Sequence, residues 1–223
     1  MARFRNRTSA GQELLQKLTK FKNNTNTVVV GLPRGGMLTA FEIAKGLGLP
    51  LAFLVVKKIG APGNPELAVG AVADDGTKYI DSEIVSSMNV SEKYINDQTE
   101  KKIEEAKDRA RKYLRCYKNP KLSGKTVILT DDGIATGATM TAAIKALEER
   151  GVLKIIVSVP AGPGDNFKEI RKRVDDIVCV DEDLILFSVG EYYDEFPEIT
   201  DEEVVKILLA TRAIKNAKNI HTK

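Results

Sequence analysis

The sequence predicts a doubly wound α/β fold, with a parallel sheet of about five strands and helices on both faces. Two observations point to it. Short β-branched runs such as Thr27 to Leu32 alternate with helix-length segments such as Met37 to Leu47, a rhythm that implies right-handed strand–helix–strand units. Strand ends are followed by turns rich in small residues, Gly31 to Gly36 and Gly133 to Thr139. Ligands sit at such places in open α/β sheets.

Taken in order, Thr8 and Ser9 are expected to cap a first helix whose apolar positions are Leu14, Leu15, Leu18 and Phe21. Lys22 to Asn26 is a polar break before the strand Thr27 to Leu32. The helix Met37 to Leu47 should stop at Gly48 and Pro50, and Leu51 to Val56 should form the next strand. Lys57 to Glu66 packs two lysines, two glycines and two prolines into ten residues and predicts a long mobile loop. Leu67 to Ala73 and Lys78 to Ile80 predict a hairpin around the Asp74-Asp75-Gly76 turn. A charged helix should run from Ser91 to about Tyr117, with Tyr94, Ile103, Ala106, Ala110 and Leu114 as its apolar stripe.

Val127 to Leu129 is a buried-type apolar run, and Met140 to Arg150 reads as the helix after it. Lys154 to Val159 is a strand ended by Pro160-Ala161-Gly162-Pro163-Gly164. A short helix, Asp165 to Arg173, leads to a strand at Ile177 to Val180 and an extended piece at Leu184 to Val189. Gly190 to Pro197 is an acidic, aromatic loop. Thr200 with Glu203 makes a capping box for a last helix ending near Lys215.

Composition narrows the function. The 223 residues suit one domain with a sizeable core, and 43% hydrophobic with 29% charged residues is ordinary for a globular protein. A net charge of +3 permits anionic substrates but does not indicate nucleic-acid binding. No run approaches a membrane span, and Met1 to Arg7 is basic without the apolar stretch of a signal peptide. Cys116 and Cys179 are too few for a disulfide framework, so a reducing, cytoplasmic setting is expected. The single histidine, His221, excludes histidine triads and zinc clusters.

The chemistry concentrates in Val127 to Thr139. Asp131 and Asp132 follow the strand, and then comes a turn whose N–H groups, with the positive end of the next helix, suit an anion. Two carboxylates repel that anion, so they need hydroxyls or a ligand-borne cation. A phosphorylated sugar satisfies both halves. Ala138 stands where a nucleotide-binding phosphate loop would need lysine.

The stretch resembles the 5-phosphoribosyl diphosphate (PRPP) signature of type I phosphoribosyltransferases: an apolar strand, two acidic residues, a few variable residues, then Thr-Gly-x-Thr. The resemblance implies that Asp131 and Asp132 hold the ribose hydroxyls, and that Gly133, Ala135, Thr136, Gly137, Ala138 and Thr139 form the 5′-phosphate loop. Pro33, Arg34, Gly35 and Gly36 resemble the family's pyrophosphate loop, and Lys57 and Lys58 its flexible catalytic loop. Further likeness in Phe4 to Arg7 and Phe187 to Phe196 extends the match over nearly the whole chain, to a subgroup of uncharacterised substrate.

On this resemblance, residues 1–223 form a single domain, with a core at about 23–182 and a small hood from about 1–22 and 183–223. The implied reaction moves 5-phosphoribose from PRPP to a nitrogenous acceptor and releases pyrophosphate. Mg²⁺ would arrive on PRPP with no direct protein ligand expected, Asp131 and Asp132 being the alternative. Neither a nucleic-acid nor a membrane partner is expected, and a homodimer is left open. The alternative is a PRPP- or nucleotide-sensing regulator without turnover. Enzymes that salvage 6-oxopurines carry an aspartate just before the Thr-Gly pair. Here that residue is Ala135, which argues against hypoxanthine and guanine. Glu66, Glu191 and Asp194 are the carboxylates available as substitutes, and Phe187, Tyr192, Tyr193 and Phe196 could stack on a base or form a hood core.

Overall fold

A computed structural model describes residues 3–182 and 188–220. Five parallel strands form the main sheet in the order β2-β1-β6-β7-β8, with β1 Thr27–Gly31, β2 Leu51–Phe53, β6 Thr126–Thr130, β7 Lys154–Ala161 and β8 Asp176–Asp181. Strand alternation gives the sheet two apolar faces. Val28, Val30, Val127 and Leu129 pack with Met140, Ala143 and Leu147 of α5 (Ala138–Glu149). Val29, Leu51 and Ile128 pack instead with Leu14 of α1 (Arg7–Lys17), Met37 and Ile43 of α2 (Gly36–Leu47) and Leu208 of α7 (Asp201–Ile220). Helices therefore cover both sides, as the sequence predicts.

Local signals set most boundaries. Gly48 ends α2 in the left-handed conformation, at φ 69. At the head of α7, Thr200 Oγ1 accepts from the Glu203 N–H and Glu203 Oε2 accepts from the Thr200 N–H, a reciprocal box. The helix runs past the expected Lys215 to Ile220. The first helix differs: Asn6, not Thr8 or Ser9, is the cap, and Ser9 closes the box from inside the first turn.

Two expectations fail at the centre of the chain. The run Leu51 to Val56 is not one strand, because the chain leaves the main sheet after Phe53 and enters a second sheet at β3 (Val56–Ala61). Nor is Lys57 to Glu66 a mobile loop. It lies in an antiparallel hairpin of β3 with β4 (Asn64–Ala73), joined at Pro62 and Gly63 and completed by β5 (Lys78–Ile80). Burial explains it, since Ile59, Ala61, Val69 and Val72 pack against Val90 and Ile95. The hairpin predicted at β4 and β5 is present.

Smaller differences follow. A short helix α3 (Ser82–Ser87) precedes α4 (Glu92–Leu114). The buried stripe of α4 is Ile95, Thr99, Ala106, Ala110 and Tyr113, whereas Leu114 is 52% exposed. β7 continues through Pro160, and α6 spans Gly164–Arg171. Most of the extended piece expected at Leu184 to Val189, with Phe187, lies outside the described residues, as does His221. Val189 itself opens a 3-10 turn to Tyr192.

Candidate active site

The strand order reverses direction between β1 and β6, and a crevice opens beyond the carboxyl ends of strands at such a switch point. Gly31 pairs with Thr130 in register, so the loops leaving these two strands emerge side by side. Gly35 and Gly36 make the closeness possible. A Cβ on Gly36 would lie 2.6 Å from Asp131 Oδ1 and 2.8 Å from its Cα, and one on Gly35 would run into the Asp132 carboxylate. The Pro33–Arg34 peptide bond is cis.

Beyond Asp132 the turn reaches Gly137 at φ 78, and α5 begins at Ala138, two residues earlier than expected. The first N–H groups of a helix have no intrahelical acceptor, so those of Ala138 and Thr139 point to the mouth of the turn. The Asn166 side-chain amide of α6 donates to the Ala135 carbonyl and braces the turn. One cleft is lined by Pro33, Lys58, the Asp131–Asp132 pair, Thr136, Thr139, Ser188 and Val189. Asp131 accepts from the Asp132 N–H at 2.9 Å. Burial, reinforced by the adjacent Asp132 carboxylate, pushes its pKa well above the usual carboxylate range.

A family model for the phosphoribosyl transferase domain matches residues 4–195. The chain belongs to this family. It is 37% identical over 208 residues to a Mycobacterium tuberculosis H37Rv protein named "Putative phosphoribosyl transferase Rv0571c", an alignment covering 93% of this chain and 47% of that protein. The counterpart in strain CDC 1551 gives the same figures. The chain thus spans about half the length of the curated relatives it matches. Among solved structures, TT1426 from Thermus thermophilus is 35% identical with a TM-score of 0.78, covering 93% of this chain and 98% of that one.

Within this phosphoribosyltransferase domain the two lysines separate. Neighbours on a strand face opposite ways, and Lys58 lines the cleft while Lys57 does not. Lys57 Nζ lies 3.9 Å from Glu105. Burial first, then the nearby Arg109 charge, lowers its pKa. Arg34 of the loop after β1 is engaged by Glu198, from the segment ahead of α7.

Arg7 has no role assigned from the sequence, yet the structure places it at the acidic pair. Its Nε lies 2.7 Å from Asp132 Oδ2, its Nη1 donates to the Pro197 carbonyl at 2.8 Å, and its guanidinium sits 3.6 Å above the Phe196 ring. A usable signal existed. A basic residue in the first turn of a helix opposes the helix dipole, so Arg7 needed a partner elsewhere. Tyr193 and Phe196 stack on each other at 4.9 Å, and the Tyr193 hydroxyl donates to the Asp132 carbonyl at 2.5 Å. Phe4 joins Tyr193 through an isolated parallel bridge. These rings therefore pack the N-terminal segment against the acidic pair. Of the substitute carboxylates, Glu191 accepts from the Ser188 hydroxyl at 3.2 Å, Asp194 is exposed, and the Glu66 side chain is not among those described. Among the described residues no cluster of three or more His, Cys, Asp or Glu side chains is placed to hold a metal ion.

Proposed function

We propose that the domain transfers 5-phosphoribose from PRPP to a nitrogenous acceptor and releases pyrophosphate. The observation that carries this is the acidic pair set between two anion-suited turns on neighbouring strands. In this reading Gly133 to Thr139 receive the 5′-phosphate through backbone N–H groups. Asp131 and Asp132 accept from the ribose hydroxyls. Pro33 to Gly36, with Arg34 and Lys58, receive the pyrophosphate, and Glu198 gives up Arg34 to it. The bond from the anomeric carbon to the pyrophosphate oxygen breaks, its electron pair leaves with pyrophosphate, and the acceptor nitrogen forms the new bond and releases its proton, to a nearby base or to water. Catalysis of this kind rests on positioning and charge stabilisation.

Mg²⁺ fits as an ion carried by the substrate. Asp131 and Asp132 are hard oxygen donors, but one oxygen of Asp132 is already committed to Arg7, and Mg²⁺ keeps several waters when held by one or two carboxylates. When bound, it would neutralise charge on the leaving pyrophosphate.

The acceptor is not a 6-oxopurine in this proposal, because Ala135 has no group to share a ring proton. Such help is typically worth about 10²–10⁴-fold. The test is pyrophosphate release from PRPP and Mg²⁺ against a panel of nucleobases and amines. At least one acceptor should support turnover on the order of 1–10³ per second, with hypoxanthine and guanine far slower. Efficient turnover of either purine would refute the exclusion. Tight PRPP binding with no release for any acceptor would favour a sensing protein.

A further inference from the structure

We propose that Arg7 is a positioning residue for the sugar end of the site, setting Asp132 against the ribose hydroxyls and tying that setting to the Tyr193–Pro197 segment. This rests on the reading of Asp131 and Asp132 as ribose ligands.

Arg7 is 7% exposed, and it starts α1, where its charge is unfavourable to the helix. A buried guanidinium in that position needs compensation, and the site supplies it. Nε meets Asp132 Oδ2, Nη1 meets the Pro197 carbonyl, and the planar face lies on Phe196. Only arginine offers these three contacts at once. Asp132 is also gripped from its backbone, by the Tyr193 hydroxyl, and Tyr193 stacks on the same Phe196 that Arg7 covers. Side chain and backbone of Asp132 are therefore fixed by one packed unit.

Arg7 engages Asp132 at Oδ2, which holds the carboxylate in place beside Asp131. It also offsets the repulsion between two adjacent carboxylates. Gly35 completes the fit: a Cβ there would stand 2.9 Å from Arg7 Nε. Arg7 reaches the sugar only through Asp132, so its loss should spoil recognition of the hydroxyls more than binding at the pyrophosphate loop, whose Gly35 it also borders.

The test compares ribose 5-phosphate, 2-deoxyribose 5-phosphate and inorganic pyrophosphate by calorimetry on the full chain. Wild type should prefer the ribose sugar. Arg7→Gln should weaken ribose 5-phosphate about ten- to a hundredfold and erase the preference over the deoxy sugar, with pyrophosphate affinity falling much less. A general loosening of the fold would weaken all three ligands and leave the ratio alone, which would overturn the proposal. If Arg7→Gln does not fold, Arg7→Lys carries the test. It keeps the charge but not the fork, and an unaltered sugar preference would again overturn the proposal. A wild type that fails to distinguish the two sugars would remove the acidic pair from the ribose, and with it both the underlying reading and the role of Arg7.

Discussion

A single methyl group added at residue 36 would probe how closely the two loops must approach. In Gly36→Ala the new carbon would meet the Asp131 backbone and carboxylate, with the Thr130 carbonyl 3.2 Å away. Overpacking of this kind costs about 1–3 kcal/mol. Better helix propensity at the start of α2 offsets about 1 kcal/mol of that in stability, but nothing restores the loop spacing. PRPP affinity, measured by calorimetry, should therefore fall about five- to a hundredfold, with a melting temperature lowered by up to about 8 °C. Unchanged affinity would show that the contact is not needed. At this scale the glycines and the acidic pair were legible because each sits at a strand end with an evident chemical demand. For Arg7 only the need for a partner was legible, at a helix start that its charge opposes; the partner itself, 125 positions away along the chain, was not.

Among the elements, the β3–β4 hairpin carries the main correction. Gly60, Pro62, Gly63 and Pro65 read as loop residues, yet they also suit a bulged hairpin. Register shifts flank Gly60, and a Cβ there would press on the Pro65 backbone at 2.7 Å. The alternating Ile59 and Ala61 were the strand signal, and it was too short to outweigh the glycines and prolines. The consequence is functional, since a strand assigns its two lysines to different faces and a loop would not. Lys58→Ala should lower affinity for PRPP and pyrophosphate about tenfold or more. Lys57→Ala, directed toward Glu105, should cost much less in the same titration. Equal losses would mean that both lysines reach the ligand, as a mobile loop would allow. Of the main-sheet strands, β1 and β6 were legible nearly from end to end because burial on both faces demands continuous apolar runs, whereas the apolar run of β2 continued past the strand's end at Phe53.

For the molecule as a whole, the sheet order sets the location of the site and the chain ends determine its finish. The switch between β1 and β6 brings an arginine-bearing turn beside an acidic pair. The N-terminal segment and the segment before α7 then close on that pair through Phe4, Arg7, Tyr193 and Phe196. Strand alternation and turn chemistry made the sheet readable. The family resemblance implied a hood from both chain ends, but its contacts with the acidic pair were not readable, since they join residues from opposite ends of the sequence with no periodic pattern. The central claim is that Asp131 and Asp132 hold the sugar of PRPP. Its most direct test is calorimetric titration of PRPP with Mg²⁺ into wild type and into the Asp131→Asn, Asp132→Asn double variant. Saturable binding to wild type is expected, with an affinity at least about tenfold lower in the variant; equal affinity in the two proteins would contradict the claim.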